Sequence, residues 1–276
     1  MERLEALIFD VDGTLADTEE AHRQAFNAAF VELELGWDWQ PELYARLLKV
    51  SGGQERVASY VETLPLAEAG KRRLRELVPI IHRTKTRIYQ ELVENFRLPL
   101  RTGVARLIRE AREAGLKLAI ASTTTPANVD ALLAAALAPE SARWFSVIAS
   151  GDAVPRKKPE PDIYLSVLER MRLPAGRCVA FEDSENGVRA ARAAQLYTVA
   201  TPTRWTAGQD FSQAQLVLES LGDPDRPLGI ESQRRVGAPM LGVAQIDRLH
   251  GLGVCRTWVG QTPMQNRLHE NARKTR

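Results

Sequence analysis

Cysteine is nearly absent. The 276 residues contain only Cys178 and Cys255, too few for a disulfide framework, and neither lies in a Cys-x-x-Cys pair or a Cys/His cluster with zinc-ligand spacing. This excludes a disulfide-stapled scaffold and a structural zinc site, and a reducing compartment fits best. Long apolar runs are missing as well. No stretch approaches the ~18 residues of a membrane span, and the first apolar run is interrupted by Glu5 and stopped by Asp10, so it does not read as a signal peptide. A cytoplasmic protein without a membrane partner is expected. Nor does one sign of charge dominate, since 37 Lys and Arg face 35 Asp and Glu for a formal +2. Residues 251–276 hold Arg256, Arg267, Arg273, Lys274 and Arg276 against Glu270, so this tail is +4 and residues 1–250 are −2. The basic excess belongs to the tail, and the body gives no reason to expect a nucleic-acid partner.

What is present is ordinary globular composition, 44% hydrophobic and 26% charged, enough for a sizeable core. Short apolar runs at 4–9, 116–121, 145–149, 178–181 and 196–200 read as strands, with helical spacing between most of them. That alternation predicts an α/β fold with a doubly wound parallel sheet. The first two strands are far too distant in sequence for an ordinary crossover. Residues 17–95 read as helices only, so a small all-helical domain is expected there, with the sheet domain made of 1–16 and 96–221. Beyond Leu221, "GDPDRPLG" marks the end of compact structure, and 222–276 are expected to be loops and an irregular tail.

In open parallel sheets, ligands bind outside the carboxyl ends of the strands. The first run ends in Asp10-Val-Asp12-Gly-Thr14 and the second in Ser122-Thr123-Thr124. Arg156-Lys157-Lys158-Pro159 follows the third, and the fourth ends in Glu182-Asp183-Ser184. Each segment alone is also a common turn, helix cap or solvated loop. In order, at four strand ends, they would bring acids, a hydroxyl and a cation to one rim.

This ordered set resembles the haloacid dehalogenase superfamily of phosphotransferases, whose four motifs match "DVDGT", the strand-terminal Ser/Thr, "KKPEPDIY" and "FEDSENG" over roughly residues 4–221. The resemblance implies a Rossmann-like core, a cap domain in the insertion, and a Mg²⁺-dependent phosphatase acting through a phospho-aspartate. Asp10 is then the candidate nucleophile. Asp12, on the same side of the strand, is the candidate acid for the leaving oxygen and later base for water, with its protonated form expected to be favoured by the neighbouring carboxylate and the phosphate. Ser122, Thr123 and Lys158 match positions that hold the transferring phosphoryl group. Asp10 and Asp183, the Asp12 backbone carbonyl, and Glu182 directly or through water match the metal-binding positions, an all-oxygen set suited to Mg²⁺.

Within the insertion, His22 falls on an apolar helical stripe with Phe26, Ala29, Phe30 and Leu33. Its place twelve residues after Asp10 matches a cap-hinge histidine of β-phosphoglucomutase-like members that helps control the general acid. "LLKVSGGQER", "AHRQAFNAAF", "HRTKTRIYQEL" and "LKLAIASTTT" are similar to the CbbY branch, which acts on xylulose 1,5-bisphosphate and is encoded beside Calvin-cycle genes. That likeness assigns a second phosphate to Lys49, Arg56, Lys85 and Arg87, with Ser51 and the N–H groups of Gly52 and Gly53 assisting; Lys85 matches the family better, and Arg87 reads equally as a surface charge. A monomer acting on a small-molecule sugar (bis)phosphate is expected. The alternatives are a sugar phosphomutase using the same two aspartates and a catalytically inactive binding protein of this fold. A dehalogenase would leave Asp12 without a task.

Overall fold

The computed structural model describes residues 3–96, 98–151 and 153–259, except for the side chains of Phe96 and of 253–259. Strands β1 (Ala6–Phe9), β2 (Lys117–Ala121), β3 (Val147–Ala149), β4 (Cys178–Glu182), β5 (Tyr197–Ala200) and β6 (Leu216–Val217) form one parallel sheet in the order β3-β2-β1-β4-β5-β6. Between β1 and β2 come α1 (Glu19–Glu32), α2 (Pro41–Leu47), α3 (Gly53–Thr63), α4 (Glu68–Phe96) and α5 (Val104–Glu113). The chain continues through α6 (Pro126–Ala136), α7 (Asp162–Met171), α8 (Glu185–Ala193), α9 (Ile230–Val236) and α10 (Val243–Val259). This is the doubly wound α/β architecture that the alternating pattern predicts. The central strands β1 and β4 are buried along their whole length, which is why they read as unbroken apolar runs rather than alternating ones. Strand β6, two residues long, is too short to leave any period.

Successive residues of the strands feed opposite faces. Leu7, Phe9, Leu118, Ile120, Val179 and Phe181 pack under α5 and α6, while Ala6, Ile8, Ala119, Ala121 and Ala180 pack under α7 and α8. Helix α5 shows the sequence logic plainly, since Val104, Leu107, Ile108 and Ala111 make one buried stripe. Leu107 is fully buried, and truncating such a leucine to alanine costs about 2–5 kcal/mol.

Helices α1–α4 build a separate apolar cluster from Phe26, Phe30, Trp39, Tyr44, Leu47, Val57, Val78 and Ile81. The chain leaves the sheet and returns to it side by side, because Ala16 and Leu100 form an antiparallel bridge and the Arg101 N–H donates to Leu15 O at 2.8 Å.

The expectation of an irregular segment after Leu221 is corrected by α9 and α10. Leu228, Val236, Leu241 and Ile246 are buried in the same cluster as α5 and β1. Glu110 Oε2 accepts from the Val243 N–H at 3.2 Å, and Asp247 Oδ1 accepts from the Leu4 N–H at 3.4 Å. Helix α10 thus docks at the amino ends of the strands, away from the rim that ligands use. Helix α9 has only seven residues, and α10 contains Gly251 and Gly253, which weaken a helical reading. The basic residues expected in the tail from Arg267 onward lie outside the described residues. Among the described residues, no helix is long and apolar enough to cross a membrane.

Candidate active site

In this strand order the chain departs from β1 and β4 to opposite sides, which opens a crevice between their carboxyl ends. The register Phe9 beside Phe181 places Asp10 next to Glu182, and the Asp10 N–H donates to Phe181 O at 3.0 Å. From the loop after β3, the Lys158 ammonium donates to Asp10 Oδ1 at 2.7 Å, Glu182 Oε1 at 2.6 Å and Ala121 O at 2.9 Å. All three of its protons are thereby used. Burial opposes its charge, but the carboxylates of Asp10 and Glu182 outweigh that and hold its pKa above the ordinary lysine value. Tyr164 Oη donates to Glu182 Oε1 at 2.5 Å. Asp10 itself is pushed up to about 8, first by burial and then by Glu182 and Asp12, against the pull of Lys158.

Asp183 completes this rim. One oxygen from each of Asp10, Glu182 and Asp183 lies within 4.8 Å of the others, and all three residues are buried. Burial, then the charges of Asp10 and Glu182, raise Asp183 well above the carboxylate range. Glu182 Oε2 is buried without a hydrogen-bond partner. Three carboxyl groups crowd against a single ammonium, and a cation placed among them would relieve the mutual repulsion that raises Asp10 and Asp183, so this oxygen-only set fits a small hard divalent cation such as Mg²⁺. Two glycines make the approach possible. A Cβ on Gly13, whose φ is +79°, would sit 2.2 Å from Asp183 Oδ2, and one on Gly187 would sit 1.9 Å from Glu182 Oε2.

A second group of side chains reaches the crevice from the insertion. Thr18 Oγ1 donates to Asp12 Oδ1 at 2.6 Å, and His22 Nε2 lies 2.8 Å from the same oxygen. On the far side of the ring, Lys85 Nζ is 2.6 Å from His22 Nδ1. An ammonium can only donate, so Nδ1 accepts and the Nε2–H is given to Asp12. The imidazole is stacked on Tyr89 at 4.0 Å between centroids. Burial, then the Lys85 charge, lower the His22 pKa. Burial likewise brings Lys85 down to about 7. Asp12 differs from expectation. Burial favours its neutral form, but the electrostatic pull of the His22 ring, the hydrogen bonds from His22 and Thr18, and the charge of Lys85 outweigh it and hold the carboxyl well below its usual range. The sequence placed a carboxylate beside Asp12 but gave no sign that donors from the insertion would converge on it.

Both groups face one cavity of about 360 Å³. Asp10, Asp12, His22, Lys49, Ser51, Gly52, Gly53, Arg56, Lys85, Ser122, Thr123, Lys158 and Asp183 all line it. Glu182 lies just beneath, fully buried. Of the expected phosphate cations, Lys85 lines the cavity and Arg87 does not. The Lys85 ammonium is engaged by His22, and Arg87 lies on the exterior, paired with Glu32 at 2.5 Å and Glu91 at 2.8 Å. Sequence reasoning missed Glu19, Asn128, Asn186 and Arg189, which also line the cavity. It missed Tyr44, whose hydroxyl donates to Glu19 Oε2 at 2.8 Å and accepts from Arg56 Nη1 at 3.1 Å. Glu19 was findable, since it lies one helical turn before His22 on the same face. Nothing local distinguishes Tyr44.

Comparison with known proteins agrees with this geometry. Residues 4–195 match the family model described as haloacid dehalogenase-like hydrolase. The plasmid-encoded protein CbbY of Cupriavidus necator is 56% identical over 225 residues, covering 82% of this chain and 89% of that protein. A solved CbbY variant from Rhodobacter sphaeroides in complex with xylulose-(1,5)bisphosphate is 39% identical with a TM-score of 0.75, covering 88% of this chain and 99% of that one. β-Phosphoglucomutase from Clostridium difficile, 20% identical with a TM-score of 0.66 over 92% of this chain and all of that one, shares the fold.

Proposed function

The chain belongs to the haloacid dehalogenase-like hydrolases and is a phosphatase, and from that premise we propose that it hydrolyses a sugar bisphosphate, xylulose 1,5-bisphosphate first among them, through a phosphorylated Asp10. The observation that carries this reading is the meeting of two separately built groups at one cavity: Asp10 with Lys158 on the sheet side, and Asp12 with His22 and Lys85 on the inserted side, which acts as a cap.

On this reading the reacting phosphoryl group lies among Asp10, Ser122, Thr123 and Lys158, and Asp10 attacks phosphorus. Asp10, Glu182, Asp183 and the Asp12 carbonyl would hold Mg²⁺, which supplies positive charge against the phosphoryl oxygens. Asp12 needs a proton for the leaving alkoxide, yet it is ionised in the free site. Lys85 holds that proton. It passes to His22 Nδ1 as the Nε2 proton moves to Asp12 Oδ1, leaving a neutral amine, a neutral imidazole and a carboxylic acid. Asp12 then protonates the departing oxygen, and as a carboxylate again it takes a proton from the water that attacks the aspartyl phosphate. The second phosphate is held toward Lys49, Arg56 and Arg189 near the amino end of α3. A cap that closes over the cavity keeps water out until the sugar has left.

The test is release of inorganic phosphate from xylulose and ribulose bisphosphates with Mg²⁺ present and after chelation. Stoichiometric, chelator-sensitive release from xylulose 1,5-bisphosphate supports the reading. An isomeric monophosphate in place of free phosphate would assign the chain to phosphoryl transfer between sugars instead.

A further inference from the structure

Besides the hinge and the packing of α1 and α4 on the sheet domain's core through Ala21, Ala25, Tyr89 and Val93, the cap meets the sheet domain around the cavity mouth. Lys157 Nζ lies 2.7 Å from Glu55 Oε1. Asn186 Nδ2 donates to Lys49 O at 2.9 Å and Ser51 Oγ at 3.1 Å. A further contact there is apolar. Trp205, in the loop after β5, is 9% exposed and belongs to the cap's own cluster, all of whose other members lie between β1 and β2. Its ring meets Tyr44 edge-on at 5.6 Å between centroids and 86° between planes. Polar contacts with an exposed partner, such as Glu55 at 44%, are cheaply exchanged for water. A buried aromatic edge is not.

The loop is built to present this ring. The Thr203 N–H donates to Thr206 Oγ1 at 2.9 Å, and the Trp205 N–H donates to Thr203 Oγ1 at 3.2 Å. The Arg204 guanidinium lies over the indole at 4.8 Å and reaches Glu20 at 3.6 Å. Tyr44, which receives the indole, is the residue that holds Glu19 and Arg56 at the cavity wall.

We propose that Trp205 is a positioning residue: an anchor by which the sheet domain seats the α2–α3 side of the cap, and through Tyr44 sets Glu19 and Arg56 against the part of the substrate remote from the reacting phosphate. The proposal deepens the bisphosphatase reading and rests on it for its kinetic consequences. Trp205→Ala should raise KM for xylulose 1,5-bisphosphate about tenfold, the scale of one lost aromatic pair, with a smaller change in kcat. Turnover of p-nitrophenyl phosphate, which has no second phosphate to seat, should be unchanged. Trp205→Phe, which keeps an aromatic edge, should restore most of the KM. Parallel loss on both substrates, or no change on either, overturns the proposal.

Hydrogen exchange supplies a readout independent of substrate. Amides in residues 41–63 should exchange faster in Trp205→Ala, and in Trp205→Leu should the alanine variant fold poorly, while those of β4 keep wild-type rates. Unchanged exchange in 41–63 overturns the anchor even if the wild-type enzyme prefers another substrate. Absence of bisphosphatase activity with selective loosening of the cap overturns the substrate assignment alone.

Discussion

The sheet side and the inserted helices each bury one lysine at the same cavity, and the two behave oppositely. Lys158 is 6% exposed and Lys85 is 4% exposed, so burial does not separate them. Partners do. Lys158 touches two carboxylates and is held charged, whereas Lys85 touches an imidazole nitrogen and falls to about 7. A lysine paired with anions is a fixed charge, suited to gripping a phosphoryl group. A lysine paired with a neutral acceptor is a proton reservoir near neutral pH.

The contrast can be broken at several points. Asp10→Asn removes the proposed nucleophile and should cut turnover at least about 10⁴-fold, with circular dichroism showing an intact fold. Residual turnover near wild type would rule out the covalent route. Lys158→Met leaves Asp10 and Glu182 buried without their cation. It should lower kcat about 10³-fold, and because a broken buried pair costs about 3–5 kcal/mol, urea unfolding should register the loss in the metal-free protein.

Lys85→Met should lower kcat about 10²-fold, the range of a lost acid–base relay, and leave a small-molecule leaving group of low pKa less affected. Its pH profile is the sharper test. Wild-type kcat should fall on the alkaline side with an inflection near 7 as Lys85 loses its proton, and the variant should lack that inflection. Stability follows with a definite sign. Folded Lys85 binds its proton less tightly than the ordinary lysine value of 10.5 implies, so between about 7 and 10.5 the unfolded chain holds more protons and the folded state gains as pH rises. The Tm of wild type should therefore rise relative to Lys85→Met across that window. The smallest effect belongs to Arg87→Ala, whose exterior ion pairs predict a change in kcat/KM below about twofold. A larger loss would return Arg87 to the substrate.

These two regions were not equally legible. The sheet side could be read because most of its candidate residues stand at the end of an apolar run: Asp10 and Ser122 directly follow β1 and β2, and Glu182 closes β4, and the sheet brings strand ends together by its own topology. The cap side depends on contacts that no period encodes. Lys85 is 63 residues from His22, and its likeness to a phosphate-binding cation concealed that its ammonium faces an imidazole. Tyr44 and Trp205 were silent for the same reason, each being one more aromatic among apolar neighbours until the fold sets them edge to face. The C-terminal helices were missed because their apolar residues are few and complete a core that belongs to elements far upstream.

The paired crossing at Ala16 and Leu100 has an evolutionary and practical meaning. Since outgoing and returning backbone stand one bridge apart, the α1–α4 unit is a cassette with a single doorway. A different set of helices could be spliced there by matching one pair of termini and the apolar faces of α1 and α4 that pack on the sheet, which would keep Asp10 and Lys158 in place while replacing the His22–Lys85 pair and the outer cavity wall together.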